Sequence, residues 1–259
     1  DTARLLKDRV AYYMYTSSIS LFYPFTGSDF SEDRPLVTEI PPGASEQERR
    51  NYEFGVMKAT SELATIRHFG ADRSIIVRPT LIVGPGDRTD RFPYWLARLE
   101  KGGDTILPGR PDEVVQYIDV RDLAEWMIRL AENQAVGTYN GSGPGFKMTT
   151  NAFAHGIHAS YNSPINFVQI DDLQFLQENG IISIQPWVIQ LPEYAGMSRS
   201  DNRKAIAAGL QFRPLAETVA ATRAWWYSDA VSQERRDNIL GGEHSFMQRE
   251  KEIIAKWKG

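Results

Sequence analysis

Cysteine is absent from the 259 residues. Its absence excludes disulfides, thiolate metal sites and a cysteine nucleophile. It also fits a reducing compartment, so a cytoplasmic location is the expectation. Histidine is nearly as scarce, with 4 in the chain. His155 and His158 stand three apart on an expected helix and so share a face. Two histidines without a suitably spaced carboxylate do not make a zinc site, so no metal is expected and surface or packing roles are the reading. No apolar run has the length needed to span a bilayer. Cationic charge is not in excess: 29 Lys and Arg stand against 33 Asp and Glu, a net charge of −4. There is no dense basic stripe, and neither nucleic acid nor a membrane is an expected partner. Internal repeats, heptads and low-complexity segments are missing as well. The chain opens at Asp1 with neither an initiator Met nor a signal-peptide pattern.

What remains is an ordinary globular composition, 42% hydrophobic and 24% charged. The length suits one large domain or two intimately joined ones. The stretch that organises the rest runs from Ser45 to Gly70. Ser45 and Glu48 have the spacing of a capping box, and Gly70 follows the last apolar residue, Phe69, as a natural stop. On that helix Phe54 and Lys58 are four apart and share a face. Ahead of it, Val10–Ser18 reads as a strand ending in hydroxyls, followed by a loop at 23–44 too long for a simple connector. Behind it, Ser74–Val83 is a nearly continuous apolar run, as expected of a parallel strand covered on both faces. Strand, helix, strand is the rhythm of an α/β sheet.

Further on, Arg91–Lys101 reads as a short helix, Val114–Ile118 as a strand, and Asp119 as the cap of a helix with Leu123, Trp126, Met127 and Leu130 at core spacing. Gly137–Asn140 and Ile165–Ile170 read as strands. Residues 149–160, 171–179, 201–209 and 214–227 read as helices, and 237–258 as a closing polar helix with few strong anchors.

Taken together, these segments resemble the extended short-chain dehydrogenase/reductases, the NAD-dependent epimerase/dehydratase group. Thr16-Ser17-Ser18-Ile19-Ser20 is similar to the family's Ser-Ser-x-Ser strand end, Phe54-Gly55-Val56-Met57-Lys58 to its Tyr-Gly-x-x-Lys helix, and Arg78-Pro79-Thr80-Leu81-Ile82-Val83-Gly84-Pro85 to the strand passing the nicotinamide. Val115–Ala124 is similar to its strand-to-helix return, and Phe212-Arg213-Pro214-Leu215 to its C-terminal segment. The resemblance implies an α/β fold, with a Rossmann-like parallel sheet from 1–83 and 112–135 and a smaller substrate-binding part from 84–111 and 136–259. It implies NAD or NADP as cofactor and a small carbonyl or hydroxyl compound as substrate. By the same resemblance Ser18 is the active-site hydroxyl, and Lys58 holds the nicotinamide ribose. Ser17, Pro79 and Thr80 neighbour the cofactor, while Phe54 and Leu81 face the substrate. The 45–70 helix is where the resembling family dimerises, which implies a homodimer.

Three departures qualify the match. The first strand already looks like the serine-bearing one, so at about 30 residues per βαβ-type unit on the order of 100 residues are expected ahead of Asp1. The Gly-rich pyrophosphate turn would lie there, unless it has been lost. Gly141-Ser142-Gly143-Pro144-Gly145 reads as a structural turn, not its substitute. Phe54 stands where the family has the tyrosine that exchanges a proton as hydride moves, and a phenyl ring has no proton to give. Tyr52 lies about 160° around the helix from Phe54; Tyr23, on the loop side, is the freer candidate for proton carrier. Val115 stands where sugar-nucleotide enzymes of the group place a diphosphate-gripping arginine, leaving Arg88, Arg91 or Arg110 for that role. A catalytically silent binding or scaffold protein is the competing expectation.

Overall fold

A computed structural model describes residues 2–28, 30–242 and 245–259. The chain divides into two compact units: one of 1–81, 116–146 and 191–212, the other of 82–115, 147–190 and 213–259. In chain order, the first stretch holds α1 (Thr2–Leu6), β1 (Tyr13–Thr16), a 3-10 turn (Ile19–Phe22), α2 (Glu46–Phe69) and β2 (Ser74–Pro79). Next come β3 (Ile82–Val83), α3 (Arg91–Lys101), β4 (Gly103–Pro108), β5 (Val114–Val115), β6 (Ile118–Asp119), α4 (Val120–Glu132) and β7 (Gly137–Gly141). They are followed by β8 (Met148–Thr149), α5 (Thr150–His158), β9 (Ile165–Ile170), α6 (Leu173–Glu178), β10 (Ser183–Ile184) and β11 (Trp187–Val188). The chain closes with α7 (Arg203–Ala207), α8 (Leu215–Trp226), α9 (Gln233–Gly241) and α10 (Phe246–Lys258).

The first unit is built on a parallel three-stranded sheet in the order β1-β2-β7. Thr16 lies beside Val77, and Pro79 beside Gly141. Because strand side chains alternate, Ile75 and Val77 of β2 enter one core with Leu123, Trp126 and Leu130 of α4. The opposite face of β2 meets α2. The capping box expected at Ser45 is present: Ser45 Oγ accepts from the Glu48 amide, and a Glu48 carboxylate oxygen accepts from the Ser45 amide. The loop after the 3-10 turn is packed, not free. Phe22, Phe25 and Phe30 are buried with Ala59 of α2, and the Phe25 amide donates to Glu193 O.

Gly55 sets how closely α2 approaches the turn after β1. A Cβ built on it would lie 2.3 Å from Ser20 O and 3.3 Å from the Leu21 Cα. Those are backbone atoms, which cannot move aside as a flexible side chain would. The helix therefore needs a glycine here for steric reasons, although its φ is ordinary.

In the second unit β4 and β9 pair in parallel, from Gly103–Ile165 to Pro108–Ile170. Trp95 of α3 packs edge-on against Phe153 of α5, with centroids 5.7 Å apart. A buried pair, Arg98 with Glu250, ties α3 to α10, and Glu250 Oε1 also accepts the Ile106 amide of β4. Burial pushes the Glu250 carboxyl above its ordinary value, against the opposing pull of Arg98.

Four sequence expectations are corrected. The strand expected at Val10–Ser18 covers only Tyr13–Thr16, because the Val10 amide still donates to Leu6 O in the turn that ends α1. The run Ser74–Val83 breaks after Pro79, where the Thr80 amide turns to Gly141 O. The closing helix expected over 237–258 is two helices, and Glu243 and His244 between them lie outside the described residues. Its second part does have anchors, since Met247, Glu250, Ile253 and Ile254 are buried. Strand β4 has no counterpart in the sequence reading: the glycines at 102, 103 and 109 and Pro108 look like turn residues and hide a strand whose last four residues are buried.

Replacing Gly55 by Ala should lower the unfolding free energy by about 1–3 kcal/mol, the usual range for overpacking. Urea unfolding measures it; an unchanged midpoint would mean that the helix–turn contact is looser than described.

Candidate functional site

Parallel strands place their C-terminal ends on one edge, and open α/β sheets bind ligands beyond that edge. Here the edge carries Thr16–Ser18 after β1, Pro79–Leu81 at the end of β2, and Gly141–Ser142 at the end of β7. Ser17 remains in the ladder, its amide donating to Val77 O at 2.7 Å. Its hydroxyl is buried and finds no hydrogen-bond partner among the described residues.

Ser18 is half-buried and caps the 3-10 turn: its Oγ accepts from the Ser20 amide at 3.1 Å and donates to Ser20 Oγ at 3.0 Å. Lys58 reaches across from α2, and its Nζ donates to Thr16 O at 2.9 Å. The ammonium also lies 5.3 Å from the Tyr15 ring centroid and 5.6 Å from that of Phe54. An ammonium has three donors, so two remain for a ligand. Phe54 is 49% exposed. The structure thus gathers Ser17, Ser18, Lys58 and Phe54 around the end of β1. Pro79 and Thr80 are buried on the adjoining strand end, and Leu81 beyond them is half-buried.

Tyr23 is held elsewhere. It is buried and stacked edge-on against Tyr52 at 4.9 Å, and Asn51 Nδ2 donates to both Tyr23 Oη and Tyr194 Oη at 3.1 Å. Burial first, then the neighbouring Tyr23 and Glu193, pushes the Tyr194 phenol up. Asn51, Phe54, Gly55 and Lys58 fall on one stripe of α2. The Tyr23 hydroxyl therefore sits beside that stripe, about 10 Å along the helix axis from the Lys58 position. The freedom expected of this tyrosine from its place in a loop is not there, because the ring belongs to an aromatic core.

The turn Gly141–Gly145 is filled by protein. A Cβ on Gly143 would lie 2.6 Å from the Phe212 ring, and Asn202 Nδ2 donates to Ser142 O at 2.8 Å. Of the three arginines considered as phosphate ligands, Arg88 and Arg91 are exposed. Arg110 lies 3.6 Å from Asp112. His155 packs edge-on against Phe167 at 4.6 Å, and His158 Nε2 lies 2.8 Å from Ser163 O.

Sequence reasoning missed the pair that holds α2 on the sheet. Arg78 and Glu62 are 4% and 1% exposed. Arg78 Nε donates to Glu62 Oε1 at 2.9 Å and Nη2 to Oε2 at 2.7 Å, a two-pronged contact; Nη1 donates to Glu32 O at 3.0 Å. The signal was available. A charged residue inside an otherwise apolar, doubly covered strand needs a partner, and Glu62 continues the face of Gly55 and Ala59. Also missed was Asn140, fully buried, donating through Nδ2 to Phe30 O and Asp201 O while its amide reaches Glu32 Oε1.

Against this geometry, residues 4–141 match the model of the NAD dependent epimerase/dehydratase family. The chain belongs to the NAD-dependent epimerase/dehydratase family. Solved structures agree with the fold. The Bordetella bronchiseptica enzyme WbmH, in complex with NAD+, is 18% identical, with a TM-score of 0.57, over 88% of this chain and 66% of that one. A dTDP-4-dehydrorhamnose reductase from Bacillus anthracis, in complex with NADP, is 18% identical, with a TM-score of 0.58, over 86% and 68%. A UDP-N-acetylglucosamine 4-epimerase from Methanobrevibacter ruminantium is 15% identical, with a TM-score of 0.57, over 85% and 64%. The family chain described here thus spans about two thirds of the length of these structures. No curated protein matches it. No helix among the described residues is long and apolar enough to cross a membrane.

Truncating Glu62 to Ala strands the Arg78 guanidinium inside the fold and should cost about 3–5 kcal/mol of stability, whereas replacing both partners with apolar residues of similar volume should recover most of it. Urea unfolding of the two variants checks this; equal losses would mean that the pair is not a matched one.

Proposed function

We propose that the protein is an atypical nicotinamide-dependent oxidoreductase or epimerase acting on a small carbonyl or hydroxyl compound, with NAD or NADP held at the edge formed by β1 and β2. The observation that carries this reading is the placement of Lys58 on the strand end beside an unpartnered buried hydroxyl at Ser17. Both suit the nicotinamide-ribose end of such a cofactor, which offers hydroxyls and a carboxamide to donors and acceptors. When bound, the cofactor would supply the hydride donor or acceptor. Lys58 would hold ribose hydroxyls with its two spare donors, Pro79 and Thr80 would flank the ring, and Ser18 would turn its hydroxyl from Ser20 to a substrate oxygen. Leu81 and the exposed Phe54 would face the substrate.

The proton is the open element of this chemistry. Phe54 offers none, and Tyr23 is packed in an aromatic core where its Oη accepts from Asn51, seven residues before Lys58 on α2. That favours a second reading, a binding or scaffold protein that keeps the fold without the redox step, and Ser18 engaged in capping its own turn supports it. A homodimer through the 45–70 helix remains part of the proposal. Met57, 49% exposed on α2, is apolar surface such an interface would cover.

Two measurements decide between the readings. NAD+, NADH, NADP+ and NADPH are titrated into the full chain by calorimetry. Lys58→Met should weaken the binding form by about tenfold or more, the worth of a charged hydrogen bond; unchanged affinity would remove Lys58 from the site. Phe54→Tyr restores the phenol, and positioned general acid–base groups contribute about 10²–10⁴-fold. A rise of that order in nicotinamide turnover with small carbonyl compounds supports the enzyme, and no rise supports the scaffold. Met57→Glu should shift a dimer to monomer in light scattering if the helix interface forms.

A further inference from the structure

The second unit contains a hollow that the nicotinamide reading does not use. It has a volume of about 410 Å³, within the range of small-molecule sites, and it lies between the start of α3, the segment from Gly180 to Gln185, and the first turn of α10. Two arginines from separate elements converge on it. Arg91 is the first residue of α3, is exposed, and makes no ion pair or hydrogen bond among the described residues. Arg249 of α10 spends one N–H on Asn179 O, and its guanidinium lies over Gly180, where a Cβ would come within 3.3 Å of Nη2.

No carboxylate is among the described residues that line the hollow, and neither arginine makes an ion pair there; Glu178 and Glu252 line the adjoining concavity on the far side of Arg249. The nearest acid in sequence, Asp90, is engaged by Arg235. The walls are mixed: Ile181, Ile184 and the Tyr94 and Phe246 rings stand beside Ser183 and Gln185. Tyr94 and Phe246 sit edge to face with centroids 6.1 Å apart. Desolvation, reinforced by Glu250, pushes the Tyr94 phenol well above its ordinary value, so the ring enters as a neutral surface and a donor, never a base.

We propose that this hollow binds a small organic anion, its carboxylate or phosphate head between Arg91 and Arg249 and its apolar body against Tyr94 and Phe246. Guanidinium forks match both head groups in two-pronged fashion, and aromatic walls take up the body that inorganic ions lack. A patch of surface arginines alone would bind by charge and ignore the body. The hollow instead combines two cations with aromatic and aliphatic surface, which suits a ligand that carries both halves.

Phenyl phosphate, benzoate, inorganic phosphate and phenol are the probes, titrated into the full chain by calorimetry at moderate salt. Phenyl phosphate or benzoate should bind about tenfold or more tighter than inorganic phosphate and phenol, and whichever binds tighter identifies the head group. Arg91→Gln and Arg249→Gln should each weaken that probe, and the double variant should abolish saturation. Arg91 is exposed and its side chain has no partner among the described residues, so Arg91→Gln should leave the thermal midpoint unchanged, and Phe246→Ala should lower affinity for phenyl phosphate while leaving inorganic phosphate alone. Lack of saturable binding of either organic anion, equal binding of phenyl phosphate and inorganic phosphate, or undiminished affinity in the double variant would overturn the proposal.

Discussion

The close approach of α2 to the end of β1 is the constraint on which the rest of the first unit depends. Gly55 lets the helix backbone rest against Ser20 and Leu21, with no room for a side chain. The two-pronged Arg78–Glu62 pair fixes the same helix to β2 two turns later. Between these points Lys58 is directed at the end of β1, where its ammonium donates to Thr16 O. A steric contact and a buried ion pair thus deliver a lysine to the strand end where a family cofactor would lie. Neither contact is itself chemical. A buried pair of this sort often contributes little net stability compared with apolar residues of the same shape, and its value here lies in register and orientation.

The same geometry that supports nicotinamide binding separates the protein from its family's usual proton chemistry. Lys58 sits one helical turn from Phe54, where its cation meets a ring face but no hydroxyl. Three phenols near the first half of this helix, Tyr23, Tyr52 and Tyr194, form a cluster around Asn51, while the Tyr15 ring lies 5.3 Å from the Lys58 ammonium. Burial raises the Tyr194 phenol, which makes it a poorer acid at neutral pH. The surroundings of Tyr52 and Tyr194 therefore oppose proton release.

Much of this was legible in the residues. Ser45 and Glu48 announced α2, and the capping box is present in full. Asp119 announced α4, and its carboxylate accepts the Arg121 amide. The serine strand end and Lys58 could be placed together because strand, helix and strand follow one another closely. What was not legible depends on partners distant in sequence. Tyr23 looked free because a loop's packing onto residues near 194 leaves no local periodicity. Strand β4 was hidden by its glycines, and its place is set by pairing with β9, some 60 residues later. The hollow at Arg91 and Arg249 joins residues that nothing in either segment's own pattern connects.

The central claim is that Lys58 and the β1 and β2 strand ends form a nicotinamide-ribose site, and amide hydrogen exchange tests it most directly. The full chain would be compared with and without saturating NAD+ and NADPH. The account predicts protection concentrated at 16–21 and 79–82, with α2 slowed near Lys58, and loss of that protection in Lys58→Met. Exchange unchanged at those segments by either cofactor, or protection confined to other parts of the chain, would contradict it.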